Sequence, residues 1–104
     1  MAPGPGPYRL NVDPEAKATW DALESKDRPR WKKINKALKN LKNNPRHPGL
    51  QAHKWDSLKG RAPGGGDIWT AYVENHTPSA WRIFFFYDAN ERGLIHIVQI
   101  EPHS

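Results

Sequence analysis

Residues 67–104 constrain what this chain can fold into more than any other stretch. They read as three consecutive strands joined by two turns. In residues 68–74, Trp69, Ala71 and Val73 share one face and Ile68, Thr70 and Tyr72 the other. In residues 81–87, Trp81, Ile83, Phe85 and Tyr87 oppose Arg82, Phe84 and Phe86, so neither face is polar. A strand apolar on both faces belongs in the middle of a sheet, covered on both sides over most of its length. Residues 88–93 have the composition of a hairpin turn. Residues 94–100 are dense in isoleucine and valine, as buried strands are.

The earlier part of the chain supplies a cover for one face of that sheet. Residues 1–7 are Pro/Gly-rich and read as a flexible tail, leaving one domain over residues 8–104. Tyr8, Leu10 and Val12 alternate with polar residues and predict a short strand with those three pointing inward. Asp13-Pro14-Glu15 starts a first helix, with Asp13 as N-cap, that carries Ala16, Trp20 and Leu23 on one face. Asp27 caps a second helix, which stops at Asn43-Asn44-Pro45. Its apolar stripe is Trp31, Ile34, Leu38 and Leu41. Arg28, Arg30, Lys32, Lys33, Lys36, Lys39 and Lys42 occupy the rest of its surface with no acidic residue among them. Like charges at this spacing cost stability. The helix therefore presents either a solvated lysine-rich face or a surface turned to phosphates. The order strand, helix, helix, three strands predicts an α+β fold, β-α-α-β-β-β. Its twisted sheet is antiparallel-dominated, and both helices pack on one face.

Between the layers runs a long irregular connection, residues 45–66, anchored by Leu50, Trp55 and Leu58, with a short strand or turn expected around residues 54–59. Connections of this length are functional or mobile. Gly64-Gly65-Gly66 lacks the lysine and hydroxyl pair of a Walker loop and reads as a hairpin approach. The formal net charge of +5 points to a polyanionic partner. The absence of cysteine excludes disulfides and thiolate metal sites. No apolar run reaches spanning length and no signal-peptide layout opens the sequence, so a cytoplasmic protein with no membrane association is expected. His96, mid-strand among isoleucines, reads as structural. His47 and His53 flank the loop without a convincing third metal ligand.

Three segments carry a resemblance. Leu58-Lys59-Gly60, a glycine-containing loop and Ile68-Trp69 resemble the "L-K-G … G-x-W" segment of the RelE/ParE superfamily of bacterial toxins. Trp81-Arg82-Ile83-Phe84-Phe85 resembles the arginine-bearing strand of that family. The terminal Ile100-Glu101-Pro102-His103-Ser104 resembles its histidine-closed end. The likeness spans the chain from Tyr8 onward and is nearest the YoeB-type and HigB-type mRNA interferases.

The resemblance implies a ribosome-dependent endoribonuclease that needs no metal or cofactor, acts on mRNA on the ribosome, and is neutralised by a cognate antitoxin protein. Such a reaction needs a base for the 2′-proton, cationic donors for the phosphorane oxygens and an acid for the leaving 5′-oxygen. By the resemblance, Arg82 clamps the scissile phosphate, His103 acts as general acid or base, and Asp56 falls where YoeB-like members carry a glutamate general base. Arg82 also suits an arginine that snorkels past Phe84, His103 an ordinary exposed terminal histidine, and Asp56 a turn aspartate, its reach being shorter than a glutamate's. Lys54 and Lys59 add charge to the cleft, Lys32, Lys33, Lys36 and Lys39 face RNA, and Tyr72 stacks on a base or donates to a phosphate. The chain departs from the pattern at Ala71-Tyr72, where YoeB-like members have two basic residues, and at Ser104, where they end in tyrosine. Those departures keep two other readings open: a ParE-like protein that targets DNA gyrase, and a non-catalytic RNA- or ribosome-binding module.

Overall fold

The computed structural model describes residues 6–55, 62–74 and 79–102. The elements follow the order strand β1 (Arg9–Val12), helix α1 (Pro14–Lys26), helix α2 (Arg28–Asn43), strand β2 (His53–Lys54), β3 (Trp69–Tyr72), β4 (Trp81–Tyr87) and β5 (Leu94–Pro102). A single 3₁₀ turn, Pro48–Leu50, interrupts the long connection. The sheet order is β1-β5-β4-β3-β2, which puts β4 in the middle as its two apolar faces require. β1 runs parallel to β5 and every other pairing is antiparallel. The fifth strand, β2, overlaps the stretch where a short strand or turn is expected, residues 54–59, only at Lys54. β2 is only two residues long, too short to show a period of two.

Both helices cover one face. Ala16, Leu23, Ile34, Ala37, Leu38 and Leu41 pack into one cluster with Ala71, Ile83, Phe85, Ile95, Ile97 and Ile100. The last of these shares that face because of a β-bulge. Phe84 pairs with Gln99 while Phe85 pairs with Ile97, leaving Val98 as the extra residue. Strict alternation from Ile95 and Ile97 would send Ile100 to the opposite face, and the inserted residue restores it to the core.

Helix ends follow their local chemistry. Asp27 accepts the Arg30 N–H through its side chain, a true N-cap. Asp13 holds the cap position in extended backbone but makes no side-chain capping bond, so Pro14 and Glu15 mark that start instead. At the far end of α2, Gly6 N–H donates to the Asn43 carbonyl at 2.6 Å and Tyr8 N–H to the Lys42 carbonyl at 2.7 Å. These bonds satisfy two of the carbonyls a helix C-terminus leaves open. Among the described residues, no helix is long and apolar enough to cross a membrane.

Candidate nucleic-acid interface

The face of the sheet turned away from the helices carries Thr70 and Tyr72 from β3, Arg82, Phe84 and Phe86 from β4, His96 from β5, and His53 from β2. Alternation alone puts them there, since their neighbours in each strand are the core residues. Phe84 and Phe86 are 3% and 8% exposed, so part of this face is roofed. Trp55 supplies part of the cover, standing edge-on to Phe84 with ring centroids 5.3 Å apart. The glycine run expected as a hairpin approach forms a tight turn. Ala62 and Gly66 bond across it, and Gly64 and Gly65 take φ of 87° and 91°, values that glycine adopts without strain.

Arg82 lies on this face near the start of the central strand β4, in register with Tyr72 on one side and Glu101 on the other. Its guanidinium carbon lies 5.2 Å from the Phe84 ring centroid, and its Nε is sealed from solvent. A phenyl platform under a guanidinium fixes the plane of the fork. The packing along Phe84 that a snorkelling arginine would show is therefore present, and it orients the head group as well.

Tyr72 joins this face to the basic helix. β2 pairs only with Trp69 and Thr70, so the outer edge of β3 beyond them is not covered by a strand. A cavity of about 320 Å³ opens there, lined by Lys33, Lys36, Asn40, His47, Tyr72 and Glu74. Lys36 is exposed, as are Lys32, Lys39 and Lys42. Two cations of α2 are committed elsewhere. Glu74 pairs with Arg30 at 3.1 Å and with Lys33 at 3.3 Å, and Arg30 also pairs with Asp27 at 2.5 Å. Burial alone would raise the Glu74 carboxyl, but hydrogen bonds from Arg30, the Trp81 N–H and Lys33 hold it below its usual range. Lys33, expected to face RNA, lines this cavity and pairs with Glu74 while staying 57% exposed. The acidic residue that α2 lacks is supplied from the end of β3.

Lys54 is also not where the cleft reading put it. It is in register with Trp69, on the helix side of the sheet, with Nζ 5.9 Å from the Trp69 ring and 3.4 Å from Asp67. In a strand, adjacent residues face opposite ways, so His53 on the open face puts Lys54 behind it. Asp56, Lys59 and His103 lie outside the described residues, as do Leu58 and Gly60. Of the two departures at residues 71 and 72, Ala71 is fully buried in the core. Only Tyr72 therefore bears on the open face.

His96 lies at the other end of this face and is locked. Asn11 Nδ2 donates to its Nδ1 at 3.0 Å, its Nε2 donates to Asp88 at 2.8 Å, and its ring stacks on Phe86 at 4.7 Å. Asp88 also accepts the N–H groups of Asn90 and Glu91, closing the β4–β5 turn. The His96 bond and the Asn90 N–H hold the Asp88 carboxyl below its usual range. With Nε2–H held by the Asp88 carboxylate, its ring stacked on Phe86 and its side chain only 18% exposed, His96 is structural, as its position among isoleucines predicts. Tyr87, on the helix side, is no proton donor for chemistry, since burial pushes its phenol up to about 12, with Tyr8 adding to the rise and Arg46 opposing it. No group of three or more metal-ligating side chains occurs among the described residues.

The residue whose place on this face sequence reasoning missed is His53, weighed there only as a metal ligand with His47. It faces the same side as Arg82, bonded to Thr70, with its ring 5.9 Å from that of Tyr72. A two-residue strand inside a long connection gave no periodicity from which its direction could be read.

No family model matches the chain, and no curated protein matches it. Solved structures do. A YoeB dimer from Staphylococcus aureus is 19% identical, with a TM-score of 0.62 over 95% of this chain and 100% of that one. A YoeB/ParE toxin from Agrobacterium tumefaciens is 14% identical, with a TM-score of 0.63 over 92% and 99%. The heterotetrameric YoeB-YefM toxin–antitoxin complex from Staphylococcus aureus contains a chain 18% identical, with a TM-score of 0.60 over 93% and 98%. At these identities the likeness is one of fold, and it runs the length of both chains. The architecture of this chain, two helices on one face of a mixed five-stranded sheet, is that of the YoeB/ParE toxins.

Proposed function

We propose that this chain is a toxin-type endoribonuclease that cuts mRNA on the ribosome by metal-independent 2′-OH attack and is neutralised by a cognate antitoxin. The observation that carries the reading is Arg82. It stands on the central strand of a YoeB-like sheet, on the face away from the helices, its guanidinium set on Phe84 and its cross-strand neighbour being Tyr72. A fixed, permanently charged fork is the group that attack at phosphorus needs for its developing oxyanions. Tyr72 offers a π-face for a base and a hydroxyl for a phosphate. From there the edge cavity leads RNA towards the exposed lysines of α2. His103, which follows β5 directly in sequence, is the proposed acid for the leaving 5′-oxygen, and Asp56 and Lys59 remain proposed members of the site. The antitoxin partner is supported by the toxin–antitoxin complexes among the structures of this fold.

A second reading, a non-catalytic RNA-binding module, is favoured by one observation: at residue 72 the open face offers a phenol where YoeB-like proteins carry a cation. One experiment separates the two. Purified protein is added to a translating extract, mRNA 5′-ends are mapped, and Arg82→Ala and His103→Ala are run in parallel. Codon-phased cuts that vanish in both variants support the nuclease. Salt-sensitive RNA binding without cuts supports the module. Intact mRNA with inhibited DNA supercoiling would point to a gyrase-directed toxin.

A further inference from the structure

We infer that His53 is the general base of this site, taking the 2′-hydroxyl proton through Nε2. The inference rests on the nuclease reading above and deepens it. Its ground is the way the imidazole is held. His53 Nδ1 lies 3.0 Å from the Gln51 backbone carbonyl, which can only accept, so in the neutral ring Nδ1 carries the proton. The lone pair is then on Nε2, which accepts from the Thr70 hydroxyl at 3.1 Å. Gln51, which orients the ring, is the one non-glycine residue with positive φ among the described residues, at 46°. Gln51 takes that conformation as the cap that closes the 3₁₀ turn Pro48–Leu50, its N–H bonded to the Pro48 carbonyl. A base whose second nitrogen is tied by a fixed acceptor is the arrangement that nucleophile activation requires.

Placement agrees. His53 is exposed on the face that carries Arg82, and its ring adjoins Tyr72, which is Arg82's cross-strand partner. Lys54 and Asp67 lie behind the strand, paired with each other. The substrate 2′-hydroxyl replaces Thr70 as the donor to Nε2. As that proton moves to the ring, the 2′-oxygen bonds to phosphorus and Arg82 takes the charge on the phosphorane oxygens. The bond from phosphorus to the 5′-oxygen breaks, and that oxygen takes a proton from the acid proposed at His103. The products are a 2′,3′-cyclic phosphate and a 5′-hydroxyl.

The test measures cutting of mRNA on programmed ribosomes against pH for wild type, His53→Gln, His53→Ala, Asp56→Asn and Arg82→Ala, with ribosome binding followed by sedimentation. His53→Gln should lose about 10²–10⁴-fold in rate. It should also lose the fall in rate at low pH that a histidine base imposes, while binding is retained. Added imidazole should restore part of the His53→Ala rate, a rescue that a merely structural residue does not give. The inference is overturned if both His53 variants cut as wild type does, if binding falls in step with rate, or if imidazole rescues nothing while Asp56→Asn alone is dead. Cutting by wild type and His53→Gln with Arg82→Ala inactive would leave the nuclease reading standing and remove only the base. A wild type that never cuts would remove both.

Discussion

Glu74, just past the end of β3, and Arg82, on the central strand β4, show how surroundings make one side chain structural and another a candidate for chemistry. Glu74 is 16% exposed and ties α2 to the β3–β4 hairpin through Arg30, Lys33 and the Trp81 N–H. Replacing it with alanine leaves Arg30 half-buried with only Asp27 as acidic partner, and should cost about 1–2 kcal/mol in urea denaturation. The pH dependence follows from sign. The carboxyls of Glu74 and Asp88 sit below their ordinary range in the folded chain. Their stabilisation is therefore complete above the unfolded pKa and is lost as pH falls through the depressed folded values. Glu74→Gln should flatten the fall in denaturation midpoint on acidification, and an unchanged slope would show that the pair carries no linkage. Arg82 is instead the proposed clamp of the scissile phosphate. Arg82→Ala should lower cutting about 10²–10³-fold, and Arg82→Lys should recover little, because an ammonium keeps the charge but not the fork.

At the level of elements, two contacts decide the architecture. Phe85 is fully buried at the middle of β4, among core residues from both helices and the neighbouring strands. Phe85→Ala should cost about 3–5 kcal/mol in denaturant unfolding, the largest loss expected of any substitution considered. Gly6 closes the C-terminus of α2 from outside. A Cβ there would strike the Lys42 carbonyl oxygen and come within 2.9 Å of the Asn43 carbonyl oxygen. Gly6→Ala should therefore release these two bonds and lower stability by about 1–2 kcal/mol. Deleting residues 1–6 should cause the same loss if the contact is the cause. β4 and both helices were legible in the sequence because Trp81–Tyr87 is apolar on both faces and α2 keeps a clean stripe from Trp31 to Leu41. The parallel pairing of β1 and the bulge at Val98 were not, since strand direction and register are set by long-range contacts that alternation does not encode. The site was legible in part for the same reason. Arg82 declared its face through Phe84 and Phe86, whereas His53 and Lys54 took theirs from pairing with β3. The pairing of Lys33 was hidden because its partner Glu74 lies 41 residues away.

For the whole molecule, the formal net charge of +5 becomes informative once the structure shows where it lies. Arg30 and Lys33 are neutralised by Asp27 and Glu74, and Lys54 by Asp67. Lys32, Lys36, Lys39 and Lys42 remain exposed along α2, and Lys36 lines the edge cavity that reaches Tyr72. If RNA leaves the open face by that edge, these lysines contact phosphates and release counterions. Each phosphate neutralised on a single strand contributes about 0.7 to the slope of log affinity against log salt, and slightly more on a duplex. Replacing all four with glutamine should therefore reduce the slope for ribosome or RNA binding by about 3 if each meets one phosphate. The fold should be unaffected, because like charges at this spacing oppose the helix. The measurement is binding at several salt concentrations, with the thermal midpoint as control. A slope that stays put while the midpoint rises would make α2 a solvated face and send the RNA path elsewhere. A reduced slope with Arg82-dependent cutting slowed only at high salt would place the helix in the RNA path and outside the chemistry.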